Sequence, residues 1–148
     1  MMKDEIVIAE ALDGQIRIHA ACTTALVEQA RKHHHCMPTS AAALGRTLTV
    51  TAIMASDLKG ENEKVTAMFN GHGPAGTVLA QADAKGNVKG FIGDPNLYLV
   101  REDGHLAVGQ AIGTDGNLTV SRDMGLKEPF TGVSKIQSGE VGDDFAYY

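Results

Sequence analysis

Three features of the sequence predict an α+β fold in a single domain, with antiparallel sheets packed against helices. The chain has 148 residues, 43% of them hydrophobic and 21% charged, which suits one domain that buries roughly 68 to 70 % of its unfolded surface. Apolar residues recur at helical spacing from Thr24 as far as Leu58 and at a period of two before Thr24 and after Gly60. The short period-two runs are joined by turns rich in Gly, Asn and Asp, which link antiparallel neighbours.

Two alternating runs, Ile6 to Ala9 and Gln15 to Ala20, flank Asp13-Gly14 and predict an opening hairpin with a two-residue turn. From Thr24 the pattern is helical. Leu26, Val27 and Ala30 share a face, and Arg31 and Lys32 sit late, where the helix dipole favours cations. His33 to Pro38 breaks this helix. Thr39 or Ser40 is expected to cap a second, longer one carrying Leu44, Leu48, Thr51, Ala55 and Leu58, which Lys59-Gly60 ends. Val65, Ala67 and Phe69, then Val78 and Ala80, then Val88 and Phe91 predict an antiparallel meander. Its turns are a loose Gly71 to Gly76, where Pro74 cannot donate to a ladder, and a tight Lys85-Gly86-Asn87. Asp94-Pro95 closes it. A short apolar segment follows at Leu106 to Ile112, then a strand from Leu118 and a last strand over Val133 to Ile136. Gly139 to Asp144 reads as a helix start with acidic residues at its positive end, yet the sequence stops at Tyr148. One turn of helix cannot stand alone. Either the segment packs on its own domain or residues 1–148 are the front part of a longer protein, and the second reading is preferred.

Thirteen Lys and Arg against eighteen Asp and Glu give a net charge of -5 without a basic block. This argues against nucleic acid as a partner, because phosphate binding needs a basic face. No run approaches the ~18 apolar residues of a membrane span, and the first ten residues lack the pattern of a signal peptide. A cytoplasmic protein with no membrane partner is expected, with Cys22 and Cys36 reduced.

His33, His34, His35 and Cys36 form the most visible cluster, of residue types that bind zinc and similar metals. Helical side chains meet three or four positions apart, so two of the four at most can share an ion. An adventitious metal on His33, His35 or Cys36 is therefore expected rather than a built site. Cys22 reads as a small buried hydrophobe. Gly71 to Gly76 matches the GxGxxG dinucleotide fingerprint, but Thr77 to Ala80 reads as a strand where that fingerprint needs a helix. Ser56 to Lys59 has S-x-x-K spacing at a helix end without a K-T-G partner. Asn117-Leu118-Thr119 is a glycosylation sequon with no secretory route. A Walker A loop, a G-x-S-x-G elbow and an H-E-x-x-H pair are all missing.

Three long phrases carry a resemblance across almost the whole chain. The first runs from Thr23-Thr24-Ala25-Leu26-Val27-Glu28 through Pro38-Thr39-Ser40 to Ala43-Leu44-Gly45-Arg46-Thr47-Leu48. The second joins Gly71 to Gly76, Ala82-Asp83-Ala84, Gly86-Asn87-Val88 and Gly90 to Pro95. The third extends from Gly116 through Asp123, Gly125, Lys127 to Phe130 and Gly132 to Ser138-Gly139-Glu140 and Tyr147. In this order they resemble the N-terminal domain of the 33-kDa redox-regulated bacterial heat-shock chaperone family.

The resemblance implies an ATP-independent holdase, not an enzyme, that binds partly unfolded proteins during oxidative or heat stress. It also implies antiparallel sheets on helices, and a C-terminal region, absent here, in which four cysteines bind zinc. Cys22 and Cys36 do not match that pattern, so neither zinc nor a redox switch is carried to this chain, and no cofactor is expected in it. A holdase needs apolar surface and no reacting group. Met54, Met68 and Met124 are candidates for an adaptable client surface, with core packing the expected fate of most. Phe145, Tyr147 and Tyr148 are expected to form a sticky edge that meets client or pairs with a second copy in a homodimer. Two other readings compete: a small metal-dependent or acid-base enzyme on His33 to Cys36 with help from His19 or His72, and a module that only mediates dimerisation.

Overall fold

The computed structural model describes residues 3–148. Two strands open it, β1 Glu5–Ala11 and β2 Ile16–Cys22. Helices α1 Thr24–His34 and α2 Pro38–Ala55 follow, then β3 Lys64–Asn70, β4 Thr77–Asp83 and β5 Val88–Ile92. The chain continues as α3 Val108–Ile112, β6 Asn117–Asp123, β7 Phe130–Lys135 and α4 Gly142–Tyr147. Among the described residues strands β1 and β2 pair only with each other, while the rest form a five-stranded antiparallel sheet in the order β5-β4-β3-β6-β7.

The core lies between one face of this sheet and α2. Val65, Ala67 and Phe69 on β3, Val78, Ala80 and Ala82 on β4, and Leu118 and Val120 on β6 are all buried, as period-two alternation requires. Leu44, Leu48 and Ala55 of α2 meet them. Val88 and Phe91, three residues apart, fall on opposite faces of β5, so Val88 packs on the core and Phe91 is exposed. Helix α1 approaches α2 closely at Gly45, where a Cβ would stand 2.6 Å from Val27 Cγ1.

Local chemistry departs from expectation in several places. The hairpin turn spans four residues, Leu12 to Gln15, because Ala11 pairs with Ile16. Leu12, Asp13 and Gly14 all take positive φ, and Gln15 N–H donates to Leu12 C=O. Neither Thr39 nor Ser40 caps α2; Met37 precedes it and Pro38 starts it. Both hydroxyls instead hold the 94–99 segment, Thr39 donating to Leu99 C=O and Ser40 to Asp94 C=O. The N-terminus of α1 is served from a distance by Asp4, whose carboxylate accepts the N–H groups of Ala25 and Leu26 at 2.9 and 2.7 Å. Strand β7 begins three residues before the expected Val133.

The C-terminal segment packs on its own domain. Asp144 is buried, and its Oδ1 accepts the N–H groups of Gln137, Ser138 and Gly139, while Oδ2 accepts that of Val141. Val141 stands at φ 77°, a strained place for a β-branched residue, and is held there by this carboxylate and full burial. Phe145 meets Phe69 edge to face, with ring centroids 5.7 Å apart.

Candidate binding face

Helix α2 covers one face of the five-stranded sheet, and the other carries a row that is apolar on four strands and has a threonine on the fifth. Cross-strand register sets Phe91 beside Leu79, Leu79 beside Met68, Met68 beside Thr119, and Thr119 beside Val133. Phe91 and Val133, at the two ends, are 44% and 61% exposed, and the residues between them are half-buried. At the ~4.8 Å spacing of strands the row is roughly 19 Å long. Polar rows bound it. On one side Gln81 donates to Thr66 and the Ser121 and Thr131 hydroxyls bond each other, both at 2.9 Å. Asn70, Thr77, Asn117 and Lys135 align on the other.

A second apolar surface belongs to the β1–β2 hairpin. Val7, Ala9 and Ala11 face the same way as their partners Ala20, Ile18 and Ile16, and all six are exposed. The opposite face is tied to the end of α2. Arg17 pairs with Asp57 at 3.0 Å, and His19 Nδ1 lies 2.7 Å from Ser56 Oγ. Below the hairpin runs a groove of about 420 Å³ whose lining includes Ile6, Ile8, Cys22, Leu26 and Val88.

The histidine–cysteine cluster does not converge. His34 Nε2 donates to Gly90 C=O of β5 at 2.9 Å, His35 takes the left-handed cap of α1, and Cys36 turns into the core. His33 is exposed. Among the described residues no three His, Cys, Asp or Glu are placed to hold a metal ion, so the chain's own donors do not fit the zinc that the resemblance assigns elsewhere. Burial raises the Cys36 thiol pKa, opposed in part by Arg31. The His19–Ser56 contact is no activated nucleophile, because Ser56 Oγ donates its proton to Ile53 C=O.

Gly71 to Gly76 is a close backbone crossing. A Cβ at Gly71 would lie 2.2 Å from Gly113 O, and Gly73 and Ala75 N–H groups donate to Ile112 and Ala111 C=O. His72 bonds Asp115 C=O there. Ser56 to Lys59 is the end of α2 and the turn after it.

Of the six surface candidates, Met68 sits in the apolar row and Met54 packs against the core. Met124 is exposed in the β6–β7 connection, beside the exposed Leu126. The aromatic edge is corrected at Phe145, which has its neighbours within the domain. Tyr148 rests on Gly132 of β7, and Tyr147 is 63% exposed. Leu79, Phe91 and Val133 were not legible as a group, because only the strand register brings them together.

A family profile described as Hsp33 protein matches residues 4–148. The chain belongs to the Hsp33 family. It is 50% identical over 149 residues to a 33 kDa chaperonin of Staphylococcus carnosus, covering 100% of this chain and 50% of that protein. A 33 kDa chaperonin of Clostridium tetani is 49% identical, with 99% and 50% covered. The crystal structure of the 33 kDa chaperonin of Thermotoga maritima superposes with a TM-score of 0.91 at 35% identity, over 97% of this chain and 49% of that one. The α+β architecture is thus the Hsp33 fold, and the chain spans about half the length of the curated relatives it matches. No helix among the described residues is long and apolar enough to cross a membrane.

Proposed function

We propose that this Hsp33 chain acts as a molecular chaperone, an ATP-independent holdase that captures partly unfolded proteins in the cytoplasm during heat or oxidative stress. The observation that carries the reading is the row Phe91–Leu79–Met68–Thr119–Val133, apolar on four of the five strands it crosses, lying on the face away from α2 with both ends exposed. Each 100 Å² of apolar surface that a client covers contributes about 2.5 kcal/mol before ordering costs. Such burial draws on no nucleotide and no reacting group. Met68 lends the middle of the row a flexible, polarizable side chain suited to varied clients. The net charge of -5 helps keep a loaded complex soluble.

The test is light scattering from a thermally unfolding client without nucleotide. The unsubstituted chain is expected to suppress aggregation, with or without a chelator. Phe91→Lys and Val133→Lys, both at exposed positions, are expected to raise the amount of protein needed at least fivefold. Undiminished protection by both variants would sink the assignment of this face. Turnover of a small molecule that a chelator abolishes would favour the enzyme instead.

A further inference from the structure

The two edges of the five-stranded sheet are β5 and β7, and they differ. Ile136 N–H donates to Gly116 C=O at 3.0 Å, which fixes the phase of the β6–β7 ladder. Phe130, Gly132 and Ser134 turn their main-chain groups toward β6, and Thr131, Val133 and Lys135 turn theirs outward. On β5 the outward Gly90 C=O already accepts from His34, and α1 lies alongside. On β7 the Lys135 C=O accepts from the Gln137 side chain. The N–H groups of Thr131, Val133 and Lys135, and the C=O groups of Thr131 and Val133, meet no partner among the described residues. These three residues also place their side chains on the outer face, where Val133 ends the apolar row.

We propose that β7 is a strand-addition site, where an extended segment of an unfolded protein pairs with the free edge and continues the sheet. The proposal rests on the holdase reading and adds how the client is held. Main-chain donors and acceptors at strand spacing are what every extended polypeptide shares, so pairing through them is independent of client sequence. Side-chain preference then comes from the face: the client residue opposite Val133 points to the outer side, beside the row, and an apolar or β-branched residue fits there. Natural edges are commonly guarded by Pro, charge or bulges. Within Phe130–Lys135 there is no Pro, and the one charge, Lys135, is at the end.

The experiment uses the unsubstituted chain with a ten-residue alternating Val/Thr peptide and the same peptide N-methylated throughout. Amide hydrogen exchange is expected to slow at least tenfold at Thr131, Val133 and Lys135 when the plain peptide binds, with β5 unchanged. The methylated peptide should bind at least tenfold more weakly. Val133→Pro removes an outward N–H without touching the β6 ladder and should cost tenfold in peptide affinity, whereas Val133→Ala, which keeps the N–H, should cost under threefold. If Val133→Pro fails to fold, the exchange and methylation comparisons decide alone. Equal binding of both peptides, or binding that leaves the three amides unprotected, overturns strand addition while leaving aggregation suppression intact. Failure to suppress aggregation at all defeats the holdase reading itself. Protection that instead grows with protein concentration, together with a doubled mass, makes the occupant a second copy and overturns the client proposal.

Discussion

Cys36 and Cys22 are chemically distinct although both are unpaired. Cys36 is 6% exposed, and burial raises its thiol pKa, so thiolate is scarce near neutral pH. Cys22 is half-buried and lines the groove beneath the hairpin. An aromatic disulfide reagent is therefore expected to label one thiol per native chain, at least about tenfold faster than the second, which reacts fully only after denaturation. Two equally fast thiols would show that Cys36 is not held as described. Cys36 follows three histidines in the sequence, but helical spacing does not let adjacent side chains converge. A left-handed cap at His35 sends neighbouring side chains in different directions, with His34 toward β5 and Cys36 inward. Nearby Glu28 is held down to about 2, chiefly by hydrogen bonds from Arg31. A lowered carboxylate pKa adds stability above the unfolded value and loses it as pH falls toward about 2. Its contact with solvent keeps that contribution small and salt-sensitive.

Helix α4 shows how a six-residue element that cannot persist alone is fixed. Val141 at its N-cap has no side-chain acceptor, so only the reverse half of a capping box forms, from Asp144 to the Val141 N–H. The other carboxylate oxygen collects three N–H groups of the preceding turn. Asp144→Ala strands these buried donors and releases the strained Val141, and it is expected to cost about 3 kcal/mol in chemical denaturation. A loss under 1 kcal/mol would mean that water replaces the carboxylate. The acidic start of this helix was legible in the sequence, but its anchoring was not, because Asp144 acts backward on a loop through an irregular turn. Elsewhere, legibility follows range. Period-two burial at Val65, Ala67 and Phe69 is local and was read correctly. The remote cap that Asp4 gives α1 spans more than twenty residues and carries no local signal.

For the whole molecule, register decides which residues share a face more than composition does. Met68, Leu79, Phe91 and Val133 lie on four strands and become one surface only when the ladders are set. Their alternation in sequence shows that each strand has two faces, but not that the outer residues of four strands line up. The Met residues named from sequence captured one member of the row. A surface of this kind makes a thermodynamic signature that a charged one does not. Client capture by this chain is expected to have a negative heat-capacity change, measured by titration calorimetry against a permanently unfolded client at several temperatures. Sodium sulfate should tighten capture, because excluded salts strengthen apolar burial. Sodium chloride between 0.05 and 0.5 M, which compresses the Debye length from roughly 14 to 4 Å, should change affinity less than threefold. A tenfold loss over that range would place the driving force in the charges around the face and not in the row itself. The acidic chain would then be expected to select basic clients, and Phe91→Lys would strengthen capture of acidic ones.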